Sequence, residues 1–181
     1  MEQQLVEMEK KPNMLAFKAA AAYAVYFLIL IYIFKLLGIN TSDPNLSMAE
    51  KVVSSALTYI PFILAVVYVQ YTHRLELGNY ITFGRAFSAG FKVAAYTGLF
   101  VAVMLIIYYK VLDSNAFNEV MNTAVEAAGD DENQIKGVEM MRPYMVFFIA
   151  FSAAVAYTFF GLVISLIGAA VLKKIKPLDD Y

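Results

Sequence analysis

The chain holds a single histidine, and a carboxylate stands three residues from it: His73 and Glu76. An i, i+3 pair of this type serves di-metal centres in helical bundles only in company with further carboxylates facing the same core. Arg74, Leu75 and Leu77 surround it here, so a solvated turn or a lipid-facing pair is expected rather than a metal site. The acidic run Asp130, Asp131, Glu132 and Asn133 lacks the alternating ligands and the glycine of a calcium loop. Acids in a first helical turn are favoured by the helix dipole, and helix initiation accounts for them. There is no cysteine, which excludes disulfides, thiolate nucleophiles and thiolate metal sites together. No phosphate loop, nucleophile elbow or His/carboxylate cluster is present. The expectation is a protein without enzymatic activity, cofactor or metal.

The remaining polar groups are hydroxyls set in apolar surroundings. Tyr157 and Thr158 lie mid-way along one apolar segment, Tyr96 and Thr97 less deep in another. Ser54, Ser55 and Thr58 precede Pro61 in a third. Buried hydroxyls need partners, so bonds between helices are the plain expectation. Thr58, Pro61, Tyr157 and Thr158 are the candidates for a small polar site. Ionisable residues at mid-depth would mark a proton relay or an ion-coupled carrier. Lys18, Lys35, Arg85 and Lys92 all stand within reach of an interface instead.

These residues need elements to hold them, and composition says which kind. Of 181 residues, 61% are hydrophobic and 16% charged, against roughly a quarter charged in soluble domains. The charges are clumped, leaving apolar runs near the ~20 residues a membrane-spanning helix needs. With net charge −1 there is no electrostatic case for nucleic acid. Four transmembrane helices are expected at about 14–37, 52–71, 83–109 and 143–172, in one all-α membrane domain spanning 1–181. The first is too long for a signal-peptide core and no small-x-small site follows it, so it reads as a retained anchor. Asn40, Ser42, Asp43, Pro44 and Asn45 form a turn-rich connector, and Ser47 with Glu50 makes a capping box for the second helix. Pro61 removes the helical donor of the Leu57 carbonyl, and a kink is expected there. Thr82 is the expected N-cap of the third helix.

Small residues four apart run along that third helix: Ala86, Gly90, Ala94, Gly98 and Ala102. Gly161, Ser165 and Ala169 repeat the spacing in the fourth. Such ladders let backbones approach closely in lipid. They fit packing within one chain or a dimer seam equally. Between the two helices lies a polar connector, 110–142. Phe117, Val120, Met121, Ala124, Val125 and Ala128 draw an apolar helical stripe along it, and Gly129 ends that helix. A second short helix is expected to start at Asp130, with Pro143 marking the start of the fourth span. The amphipathic helix has three readings: capping the bundle, lying on the outer leaflet, or binding a protein. A stripe this narrow and alanine-rich favours the first two.

An even number of spans puts both termini on one side. Nine basic residues lie on the side of the termini (Lys10, Lys11, Lys18, Arg74, Arg85, Lys92, Lys173, Lys174, Lys176) and five on the other (Lys35, Lys51, Lys110, Lys136, Arg142). Cytoplasmic termini are expected, and the connector, with seven acids, becomes an outer lid. Lys18, Arg85, Lys92, Lys173 and Lys174 are then lipid-headgroup anchors. Pro177 forbids continuation of the last helix.

The run Tyr80-Ile81-Thr82-Phe83-Gly84-Arg85-Ala86-Phe87, followed by Gly90-Phe91, resembles the signature of a Bacteroidetes family catalogued as domain of unknown function 4199. The stretch Gly129-Asp130-Asp131-Glu132-Asn133-Gln134-Ile135 and the approach through Met140 and Met141 to Pro143 are similar too, so the resemblance covers about 14–172. It implies a four-helix integral protein of the bacterial inner membrane and carries no catalytic residues. The leading functional expectation is a subunit, assembly factor or scaffold whose partners are the lipid bilayer and itself or another membrane protein. The alternative is a small transporter or pore for a neutral or weakly polar solute; an integral-membrane enzyme stands third.

Overall fold

A computed structural model describes residues 11–39, 41 and 46–176. The charged lead-in before Lys11, the turn-forming residues at 40 and 42–45, and Pro177 lie outside the described residues. The described chain is all-α: α1 (Asn13–Leu36), α2 (Met48–Glu76), α3 (Phe83–Ile107), α4 (Ser114–Ala128) and α5 (Glu132–Leu172). A π turn at Tyr108–Leu112 extends α3. Four helices are long and apolar enough to cross a membrane. Their outward faces carry large exposed apolar side chains, Phe151 and Phe159 at 68% and Leu64 at 61% among them. A water-soluble surface does not carry apolar area on that scale, whereas hydrocarbon solvates it.

The spans run up and down, so one end of the bundle gathers the start of α1, the end of α5 and the α2–α3 link. The other end gathers the α1–α2 and α3–α5 connectors. Central to the bundle is α3, which touches α1, α2 and α5. It buries residues on several sides, from Ala86 and Ala89 through Val93, Ala94 and Gly98 to Val101 and Leu105. Its contact with α5 is the most extensive in the molecule. From α1, the alanines Ala16, Ala20 and Ala24 are buried completely, and Phe17 sets its ring edge-on to Tyr96 and Phe100.

Local chemistry explains most helix ends. Ser47 accepts from the Glu50 amide at 3.3 Å and Glu50 accepts from the Ser47 amide at 3.0 Å, a complete capping box. Asp113 caps α4 by accepting from the Ala116 amide, and Gly129 closes it at φ 58°, a conformation that favours glycine. Thr82 stands at the N-cap of α3 but makes no side-chain capping bond.

Two expectations change. Residues from Asp130 onward do not form a separate short helix: Asp131 caps one 41-residue helix that continues through Pro143 to Leu172. The carbonyl of Glu139 loses its donor at Pro143, but residues 139 to 143 are all exposed, so it is not buried. At about 60 Å of length, α5 outruns a hydrocarbon core of about 30 Å and projects its first turns beyond the bundle. Secondly, α2 stays helical through His73 to Glu76, and His73 is only 2% exposed. The two residues divide: His73 is buried against the bundle interior, neither in a solvated turn nor lipid-facing, while Glu76, 3.4 Å from its Nδ1, stays exposed. Across Pro61, α2 continues as one helix.

Candidate functional site

Two knots of polar groups in the apolar interior tie helices together, while the Thr97 hydroxyl, also wholly buried, has no hydrogen-bond partner among the described residues. Near mid-depth, Tyr23 of α1 donates to the Thr58 carbonyl at 2.8 Å. Its oxygen lies 2.9 Å from the Tyr157 hydroxyl of α5. A tyrosine has one proton, so the order is Tyr157 to Tyr23 to the Thr58 carbonyl. One turn on, Tyr26 donates at 2.8 Å to the carbonyl of Leu57, the group that Pro61 leaves without a helical donor. Thr58 turns its own hydroxyl back to the Ser54 carbonyl at 2.8 Å, and Ser54 bonds to Lys51. Tyrosines of the neighbouring helix, rather than the serines and threonine of α2, thus satisfy the backbone around Pro61. Rings of Phe27, Phe62 and Tyr157 pack around Tyr23. These hydroxyls are bonded and walled by aromatics.

Nearer the termini, Gln70 is wholly buried where α2, α3 and α5 meet. Its amide donates to the Ala86 carbonyl at 3.0 Å and the Ser165 carbonyl at 2.9 Å. Each of these carbonyls uses a second lone pair beyond its own helix. A Cβ on Gly90 would come within 2.6 Å of the Gln70 amide, and Gly168 lies as closely against its oxygen. Gln70 and Gly168 escape the spacing argument; the signal for Gln70 is an amide standing alone in an apolar span.

The two small-residue ladders face each other across the α3–α5 contact. Gly161 sits against Ala94 and Phe62, Gly90 against Ser165, and Ala86 and Ala169 share one buried apolar cluster. A Cβ on Gly98 would stand 2.6 Å from the Ala154 carbonyl oxygen and 2.7 Å from the Thr158 hydroxyl. Real contacts are never that short, so the backbones approach as closely as glycine allows. Ser165 returns its hydroxyl to the Gly161 carbonyl at 2.5 Å. Ala102 is half-buried and packs against the main core cluster. Thr158 and Pro61 are half-buried, and Thr158 lines an apolar groove with Ala95, Leu99 and Phe159.

At the connector end, the buried Asp113 carboxylate pairs with Lys35 of α1, accepts from Tyr108 at 3.2 Å and caps α4. Burial pushes this carboxyl up, but the bonds from Lys35, the Ala116 amide and Tyr108 outweigh it and hold it below the usual range. A cavity of about 360 Å³ opens beside it. Helix α4 rests on the rest of the molecule through Met121, 2% exposed, and through Phe117 against Tyr109. Arg142 holds Asn118 at 2.8 Å.

Of the expected anchors, Lys18 and Lys173 are exposed, and Arg85 and Lys92 half-buried. Lys174 lies over the Tyr80 ring at 5.2 Å. Its backbone exchanges two bonds of 2.9 Å with Ile81, a small antiparallel bridge that sequence spacing does not announce. Among the described residues no three His, Asp or Glu side chains gather as a metal site.

Comparison with known proteins agrees with this architecture at one level only. Neither the curated proteins nor the solved structures contain a match. The family model described as "Protein of unknown function (DUF4199)" matches residues 16–174, which takes in all four spans, and the chain belongs to that family.

Proposed function

We propose that this membrane protein is a non-enzymatic, multi-pass component of the bacterial inner membrane, with both termini in the cytoplasm, acting as a complex subunit, assembly factor or scaffold. One observation carries the reading. The interhelical hydrogen bonds of the interior join helices to one another: Tyr157 to Tyr23 to α2, Tyr26 to the carbonyl freed by Pro61, and Gln70 to α3 and α5. What the molecule then offers to others is its outside: the lipid-facing surfaces, and the acidic α4 with the projecting turns of α5. The excess of basic residues on the terminal side supports the orientation. A transporter or pore would need a polar path at mid-depth, where Tyr23 and Tyr157 instead bond each other among aromatic rings.

Crosslinking in native membranes followed by mass spectrometry tests this. Reproducible crosslinks from α4 or the α5 extension to a second chain are expected. A strictly solitary monomer would count against it.

A further inference from the structure

Where α3 and α5 approach most closely, a groove of about 400 Å³ runs along the outside of the seam. Phe91, Ala95 and Leu99 of α3 form one bank, and Thr158, Phe159 and Leu162 of α5 the other. The groove is a product of the small-residue packing. A Cβ on Gly98 would stand 2.6 Å from the Ala154 carbonyl oxygen, so the backbones lie in contact and the larger side chains beside them stand up as walls. Phe91 is steadied by stacking on Phe87, with ring centroids 5.7 Å apart. Leu99 and Phe159 are 58% and 68% exposed, so the groove opens outward. Thr158 is the one polar side chain among the described residues that line it. Ala95 stands about 18 Å from the start of α3 and Thr158 about 21 Å from the end of α5. Both positions fall near the midplane of a hydrocarbon core about 30 Å thick.

We propose that this groove binds one acyl chain of a membrane phospholipid and holds it longer than the chains around it. Its direction fits, since Phe91 to Leu99 covers about 12 Å along the helix axis. Its width fits too. The mean cross-section is about 33 Å², whereas a helix with its side chains, 10–12 Å across, takes about 80 Å² or more. A stable protein interface draws on about 20–30 residues a side, and eight line the groove. A single hydrocarbon chain lying along the helices is narrow enough to enter. Lipid tails are as apolar as the groove, so no hydrophobic term drives this contact. The gain is dispersion: a chain in the groove meets protein atoms on three sides, where a chain on a convex helix face meets them on one. That contact offsets the freedom the chain gives up. The inference goes beyond the proposed role as a subunit or scaffold and holds for either orientation.

The test is photolabelling of the full chain in phospholipid nanodiscs that contain phosphatidylcholine with a diazirine near the methyl end of one acyl chain, followed by mass spectrometry of the adducts. Val25 of α1 and Leu64 of α2 are the controls: both stand about 18 Å from the same end of the bundle and are 50% and 61% exposed. Adducts should gather on Ala95, Thr158 and Phe159 about threefold over the controls. Ala95 is exposed, so Ala95→Phe fills the groove without entering the seam and should bring Thr158 and Phe159 down to the control level. Leu99→Ala lowers one wall and should reduce the excess by itself, which keeps the test decisive even where Ala95→Phe fails to fold. Equal labelling at all sites, or an excess that survives both substitutions, overturns the proposal. Labelling of the groove below the controls overturns it as well, because a protein surface would then be covering it.

Discussion

The α3–α5 contact and the α1–α2 contact solve the same problem by opposite means. Lipid tails are as apolar as leucine, so burying apolar surface does little to drive helices together in a bilayer. Along α3 and α5, side chains are removed until the backbones touch, with Gly98 against the Ala154 carbonyl and Gly161 against Ala94. Between α1 and α2 the side chains are large and the contact is far less extensive. There the join is made by Tyr23 and Tyr26, whose hydroxyls reach backbone carbonyls of α2 around Pro61. One seam depends on shape and tolerates no added volume. The other depends on a few directional bonds, each of modest worth.

The sharpest way to break this comparison is to add volume. Gly98→Leu should cost about 3 kcal/mol or more, because a carbonyl oxygen stands in the way and cannot yield. Ala86→Leu, packed among Leu77, Ile81 and Ala169, should cost less. Thermal melts in detergent rank the two, and equal tolerance would contradict the account. Next comes Gln70, which fastens α2 onto the small-residue seam. Gln70→Leu should lose about 1–2 kcal/mol in the same assay, since it forfeits both amide bonds and crowds Gly90 and Gly168.

A smaller effect tests the tyrosine seam. Tyr26→Phe should cost about 0.6 kcal/mol. In a Pro61→Ala background the Leu57 carbonyl regains an amide donor, so the same change should cost less there. A double-mutant cycle without coupling would detach Tyr26 from Pro61.

Smallest of all is the response to acid. Asp113 is held below the ordinary carboxylate value of about 3.9. Its contribution is therefore complete above that pH and is lost as the pH falls through the depressed value. With Lys35 half exposed, the loss should stay under about 1 kcal/mol. Asp113→Asn should flatten that limb of a stability-against-pH curve.

How far these features can be read beforehand follows the same division. A ladder of small residues is periodic, and periodicity within one helix is visible in sequence; so are the four spans and the Ser47–Glu50 box. The family resemblance reaches equally far, since it rests on order and spacing. The tyrosine bonds are different. That Tyr26 meets Leu57 depends on how α1 and α2 are rotated about their axes, which no spacing within either helix specifies. Lys35 with Asp113, and Gln70 with Ser165, are pairs of that kind, distant in sequence and joined by packing. His73 is a subtler case. Beside Arg74, Glu76 and Gly78 it has the surroundings of a turn, yet the helix runs on and buries it. Pro143 likewise reads as a boundary, and solvent around it allows α5 to continue.

The central claim is that the ladders of α3 and α5 meet within one chain. Since the sequence has no cysteine, a pair can be introduced cleanly. Ala86→Cys with Ala169→Cys places one thiol on each ladder, at positions wholly buried in one cluster. Mild oxidation in native membranes should give an intrachain disulfide in a species that runs as a monomer. Disulfide-linked dimers, or thiols that remain free and reactive, would mean that the ladders serve a seam between chains and would contradict the account.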